Sequence, residues 1–115
     1  MNILMRIIVT SIVAFGLAYL LSGVMLDSFW TAILLAIVLA VLNAIVKPLL
    51  VIFTFPITIL TLGLFLFVIN ALIILLADKI LDGFAVKNFW WALLFGLLLS
   101  GISSLLYSEK KERTT

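Results

Sequence analysis

Apolar residues fill this chain in long blocks, and the few polar breaks between them define its organisation. Blocks at 3–21, 29–46 and 89–107 each approach the about twenty residues that cross a hydrocarbon core of about 30 Å. A further block, Leu49–Ala77, would be about 43 Å long as one helix, too much for a bilayer without strong tilt. Pro56 offers a break, and Ile57–Ala77 is then about 31 Å, so the third span is placed at 57–77. Pro48 disfavours the α conformation at Lys47, so the second span is expected to end there. The leftover Pro48–Phe55 is apolar, bracketed by prolines and too short to cross. It is read as an interfacial or re-entrant segment between helices 2 and 3; the alternative is one long third span kinked at Pro56. The predicted fold is all-α and integral to the membrane: four transmembrane helices in a single domain over 1–115, with a polar tail at 108–115.

The pattern is also said twice. "LDSFWTAILLA" at 26–36 returns sixty residues later as "VKNFWWALLFG" at 86–96. Leu21, Gly23, Phe29, Trp30, Ala32, Leu34 and Leu39 recur as Leu81, Gly83, Phe89, Trp90, Ala92, Leu94 and Leu99. Each unit reads as a helix, a short loop with Gly, an aromatic anchor and a returning helix. Two spans per unit make these parallel helical-hairpin repeats, related by an axis near the membrane normal. Within them Ala32, Ala36, Ala40 and Ala44 form a small-residue stripe, matched by Ala92, Gly96, Ser100 and Ser104. Small side chains at i, i+4 let helix backbones approach closely, so the stripes are expected to be helix-packing faces, within the chain or between copies.

Composition agrees with a membrane solvent. The chain is 67% hydrophobic with seven basic and five acidic residues, against about 45–50% apolar in soluble domains. The first block is long for a signal peptide and lacks a small-residue cleavage pattern, so it is expected to stay as a span. Charge sets the orientation. Arg6, Lys47, Lys110, Lys111 and Arg113 fall on one side, and only Lys79 and Lys87 on the other. The positive-inside rule then puts both termini in the cytoplasm. Phe29, Trp30, Phe89, Trp90 and Trp91 cluster at the outer boundary as interface anchors, and Tyr107 sits at the inner one.

Candidate chemistry is sparse. With no Cys and no His, thiol, imidazole and soft-metal chemistry are excluded. The carboxylates all lie outside the spans, and no acid or base stands at the midplane where proton relays place one. No enzyme, cofactor, metal or nucleic-acid role is expected. The polar intramembrane residues are Asn43 and Asn70, with Ser103 and Thr10 at the equivalent repeat positions. Their amides and hydroxyls need partners away from lipid, first of all between helices, or along a polar path. Asn43, one turn before Lys47, is also placed to cap backbone freed around Pro48.

The run "LNAIVKPLLVIFTFPITILTLGLFLFVINAL" at 42–72, between "DSFWTAILLA" and "NFWWALLFGLLLS", resembles the four-span mycobacterial phage holin superfamily IV. The resemblance covers nearly the whole chain and picks out Asn43, Lys47, Pro48, Pro56, Thr58, Thr61, Gly63, Phe65 and Asn70 as shared motif positions. It implies small membrane proteins, some phage holins that oligomerise and open lesions for a lytic enzyme, others carried on bacterial chromosomes and similar to proteins of envelope-stress operons. The reading is therefore a multi-pass protein that packs or oligomerises in the membrane with an envelope-related role. Its partners are the lipid bilayer, further copies of itself and a membrane or envelope protein. A true holin and a small-solute transporter are the alternatives. The first has only the resemblance behind it, and the second lacks a coupling charge.

Overall fold

The structure, a computed structural model, describes the backbone of residues 2–114 and the side chains of residues 2–106. Helix α1 (Ile3–Leu20) leads into strand β1 (Val24–Leu26), α2 (Phe29–Phe53) and the short α3 (Phe55–Leu60). Then come α4 (Phe65–Ile80), β2 (Phe84–Val86) and α5 (Phe89–Thr114). Among the described residues three helices are long and apolar enough to cross a membrane: Ile3–Leu20, Phe29–Phe53 and Phe89–Leu106. The fourth, α4, has 16 residues. The side chains of Tyr107 and of Lys110, Lys111 and Arg113 lie outside the described residues.

The helices stand in a ring. α1 packs against α2 and α5, α4 packs against the same two, and among the described residues the diagonal pairs do not meet. At one end β1 and β2 join as an antiparallel ribbon, with Met25 opposite Ala85, flanked by the pairs Val24–Val86 and Leu26–Phe84. Around the ribbon, residues sixty apart take matching places. The Asp27 N–H donates to the Gly83 carbonyl at 3.0 Å, and the Lys87 N–H donates to Gly23 at 2.8 Å. Leu21 and Leu81 end α1 and α4 in the same extended conformation, each N–H bonded back four residues. Ser28 Oγ accepts from the Thr31 N–H and Asn88 Oδ1 from Trp91, so a polar N-cap opens α2 and α5 alike. The two helices start at Phe29 and Phe89 for that reason.

Part of the core follows the same offset. Ser11, Ala14 and Leu17 are buried on α1, and Ala71, Ile74 and Ala77 on α4. Leu35 and Leu39 on α2 correspond to Phe95 and Leu99 on α5. Buried Ser11 turns its hydroxyl onto the Ile7 carbonyl of its own helix, which meets its need without a second helix.

Two expectations about the middle of the chain are corrected. The second helix does not stop at Lys47 but runs through Pro48 to Phe53. Pro48 removes only the bond to the Ala44 carbonyl, and Val46, Leu50 and Val51 pack against the core on both sides of it. Packing therefore overrides the preference at Lys47, and Pro48–Phe53 is the end of α2 rather than a separate segment. The short helix lies later, at Phe55–Leu60, with Pro56 in its first turn, where a missing N–H costs nothing.

The third span is likewise not continuous over 57–77: the chain breaks at Thr61–Leu64. Leu62 adopts φ 55° and Gly63 φ 90°. The Gly63 N–H donates to the Thr58 carbonyl at 2.9 Å and the Leu62 N–H to Ile59 at 3.1 Å, which is a Schellman stop with a leucine at its left-handed position. Thr61 Oγ1 then accepts from the Phe65 N–H at 3.2 Å and caps α4.

Candidate functional site

The small-residue stripes divide along their length. Toward the ribbon, Ala32, Ala36, Ala92 and Gly96 are buried inside the chain. A Cβ on Gly96 would lie 2.6 Å from the Asn70 Nδ2, so the amide of α4 rests on the bare backbone of α5. Leu35, Ile69, Ile73 and Phe95 are among the largest fully buried side chains of the bundle.

Away from the ribbon the helices part, and the rest of the stripes line a cavity of about 590 Å³. α2 contributes Ala40, Asn43 and Ala44, and α5 contributes Ser100, Ser103 and Ser104. α1 brings Arg6 and Thr10 to the same space, with Ile3 and Ile7 as apolar wall, and no residue of α4 lines it. The floor is Ala36, Leu39 and Leu99, above which the packed core begins. From Ile3 to Thr10 the cavity runs about 10 Å along α1, at about 1.5 Å per residue.

Ser103 is the informative group. It is only 6% exposed, and its Oγ has no hydrogen-bond partner among the described residues. A buried hydroxyl left unpaired costs about 1–3 kcal/mol. The cavity thus collects a guanidinium, an amide and four hydroxyls, and among the described residues no carboxylate lines it. Such a set donates hydrogen bonds and carries positive charge, which suits an anionic group better than a cation.

The polar positions singled out in the sequence separate here. Thr10, Asn43 and Ser103 meet at the cavity, while Asn70 lies against Gly96. Asn43 makes no hydrogen bond to the backbone around Pro48 among the described residues. Of the motif residues, Thr58, Thr61, Gly63 and Phe65 build the stop between α3 and α4, whereas Lys47, Pro48 and Pro56 do not enter the cavity lining. Of the aromatic anchors, Trp30 and Trp90 point outward. Phe29 meets Phe15 edge to face at 5.5 Å, Phe89 meets Trp90 in the same way, and the Trp91 ring turns inward onto Gly23. Arg6, assigned by the sequence to topology alone, is the residue missed. A lone charge inside an apolar block was the available signal.

The family model for the "Mycobacterial 4 TMS phage holin, superfamily IV" matches residues 1–105. The chain is 41% identical over 81 residues to the "Uncharacterized membrane protein YvlD" of Bacillus subtilis (strain 168), covering 70% of this chain and 68% of that protein. It is 48% identical over 77 residues to the "Uncharacterized protein SCO3922" of Streptomyces coelicolor, covering 64% of this chain and 62% of that protein. No solved structure matches it.

Proposed function

The chain belongs to the mycobacterial four-span phage holin superfamily IV, a multi-pass membrane protein, and from that premise we propose that it acts in the cell envelope as a closed bundle, without forming an open pore. The observation that carries this is the filled ribbon half. Leu35, Phe95, Ile69 and Ile73 are fully buried there, so the cavity ends blind and no aqueous path continues past it. A holin lesion would need many copies to rearrange; a single bundle of this kind does not leak.

The bundle is two parallel helical hairpins, supported by the reciprocal bonds Asp27–Gly83 and Lys87–Gly23. Both termini lie in the cytoplasm, with the ribbon on the outer face of the cytoplasmic membrane, supported by the basic residues at the opposite end and by exposed Tyr19, Trp30 and Trp90 beside the ribbon. The protein is not an enzyme. The chain forms homo-oligomers or meets an envelope partner through its lipid-facing surface, because the packed part of the stripes is spent within the chain. Gly16 and Gly101 are places on that surface where an added Cβ meets nothing, and small residues there allow close approach.

The test is graded expression in a bacterium with a potential-sensitive dye and a co-expressed endolysin. Sustained membrane potential and intact cells at high expression are expected. Abrupt depolarisation with endolysin release would overturn the closed-bundle reading in favour of a holin.

A further inference from the structure

The cavity is more than a gap between diverging helices. At about 590 Å³ it falls within the roughly 300–1,000 Å³ of small-molecule sites. Its polar groups come from three helices and converge, with Ser103 buried to 94% (6% exposed) and its hydroxyl unpaired among the described residues. The Arg6 guanidinium has five N–H donors, enough to serve more than one acceptor. Sixty residues on from Arg6 stands Leu66, and Asn70 of α4 is engaged at Gly96. Among the described residues the basic group therefore enters from α1 alone, an asymmetry that packing by itself does not require.

We propose that this cavity binds the phosphate of an anionic membrane lipid headgroup. Arg6 supplies the charge; the hydroxyls of Ser100 and Ser103 and the Asn43 amide donate hydrogen bonds to the phosphate and glycerol oxygens. Phosphate is the chemistry that matches a guanidinium beside several hydroxyls, with no carboxylate among the described lining residues to compete. The lipid, rather than free phosphate, is favoured by the walls. Ile3, Ile7, Leu39 and Leu99 line the same space and would hold the apolar start of the acyl chains. A positively charged headgroup substituent finds no carboxylate among the described lining residues, so anionic lipids are preferred over zwitterionic ones. The site goes beyond the closed-bundle reading and does not depend on which face of the membrane it opens to.

The experiment uses the full chain in a phosphate-free maltoside detergent, titrated with phosphatidylglycerol, phosphatidylcholine or inorganic phosphate. Binding is followed by native mass spectrometry and by the shift in melting temperature. Phosphatidylglycerol should bind as a one-to-one adduct and raise the melting temperature, phosphatidylcholine and inorganic phosphate much less. Arg6→Gln should weaken phosphatidylglycerol roughly ten- to hundredfold, the loss of one charge-assisted hydrogen-bonding group, and Ser103→Ala roughly two- to tenfold. Ser103→Ala removes an unpaired hydroxyl, so its lipid-free melting temperature should not fall; it remains interpretable if Arg6→Gln fails to fold. Equal binding of phosphatidylcholine, equal binding of inorganic phosphate, or undiminished binding by Ser103→Ala and Arg6→Gln would each overturn the site. Failure here leaves the membrane-potential result untouched.

Discussion

The indole of Trp91 lies directly across Gly23: a Cβ built on residue 23 would come within 2.1 Å of the ring carbon Cδ2. Residue 91 lies in the first turn of α5 and residue 23 sits in the loop before β1, so this contact locks the returning helix of one hairpin onto the turn of the other. At the equivalent place Thr31 Oγ1 donates to the Asp27 carboxylate, which in turn covers Gly83. One glycine is covered by a ring, the other by a carboxylate, and neither has room for a side chain.

Gly23→Ala should therefore destabilise the bundle by about 1–3 kcal/mol, the usual range for overpacking. Trp91→Ala in the same chain should relieve most of that clash, with a coupling of about 1 kcal/mol or more between neighbours. Thermal unfolding of the four proteins in detergent measures it; a Gly23→Ala protein as stable as the parent would show that the ring does not rest there.

Asp78 ties β2 to α4, since its Oδ2 accepts from the Val86 N–H at 3.0 Å. Val86 is buried, so removing the acceptor leaves a donor without water, at a cost of about 1–3 kcal/mol. Asp78→Ala should show that loss, together with faster amide exchange at Val86. Asp78→Asn retains an acceptor oxygen and should lose less. Equal losses for the two substitutions would assign the effect to something other than this bond.

Leu62 is a leucine in a left-handed conformation, φ 55°, and it is 93% exposed. An L-residue with a side chain pays about 1–2 kcal/mol for that conformation. Leu62→Gly removes the strain and gives up no packing within the chain, although it frees the unfolded state as well. A net gain of up to about 1 kcal/mol is expected. Gly63→Val, at φ 90°, should destabilise, and a loss on Leu62→Gly would mean that the exposed leucine is held by lipid or a partner.

What the sequence disclosed was whatever periodicity and local chemistry carry. The starts at Phe29 and Phe89 were legible as aromatic anchors, and the caps Ser28 and Asn88 that set them were in plain view one residue earlier. Prolines drew the boundaries wrongly. Pro48 costs one hydrogen bond, which packing on both sides outweighs, whereas the actual stop at Thr61–Gly63 depends on two N–H bonds that only a left-handed turn can make. Of the cavity, Thr10, Asn43 and Ser103 stood out as polar groups in apolar helices. Their convergence with Arg6 did not, because a four-residue stripe specifies that backbones can approach without specifying where along the stripe they separate.

That separation yields the sharpest test of the fold. Ala32 is completely buried and Ala44 is exposed at the cavity, although the sequence treats them as members of one stripe. Ala32→Leu forces three extra carbons between packed helices and should cost about 1–3 kcal/mol or more. Ala44→Leu extends into open space and should change stability by less than about 0.5 kcal/mol. Because a leucine at 44 also narrows the cavity, it should lower phosphatidylglycerol binding while the fold stays intact. If both substitutions were equally damaging, the stripe would be a uniform packing face, and the cavity would close when the helices meet their neighbours in the membrane.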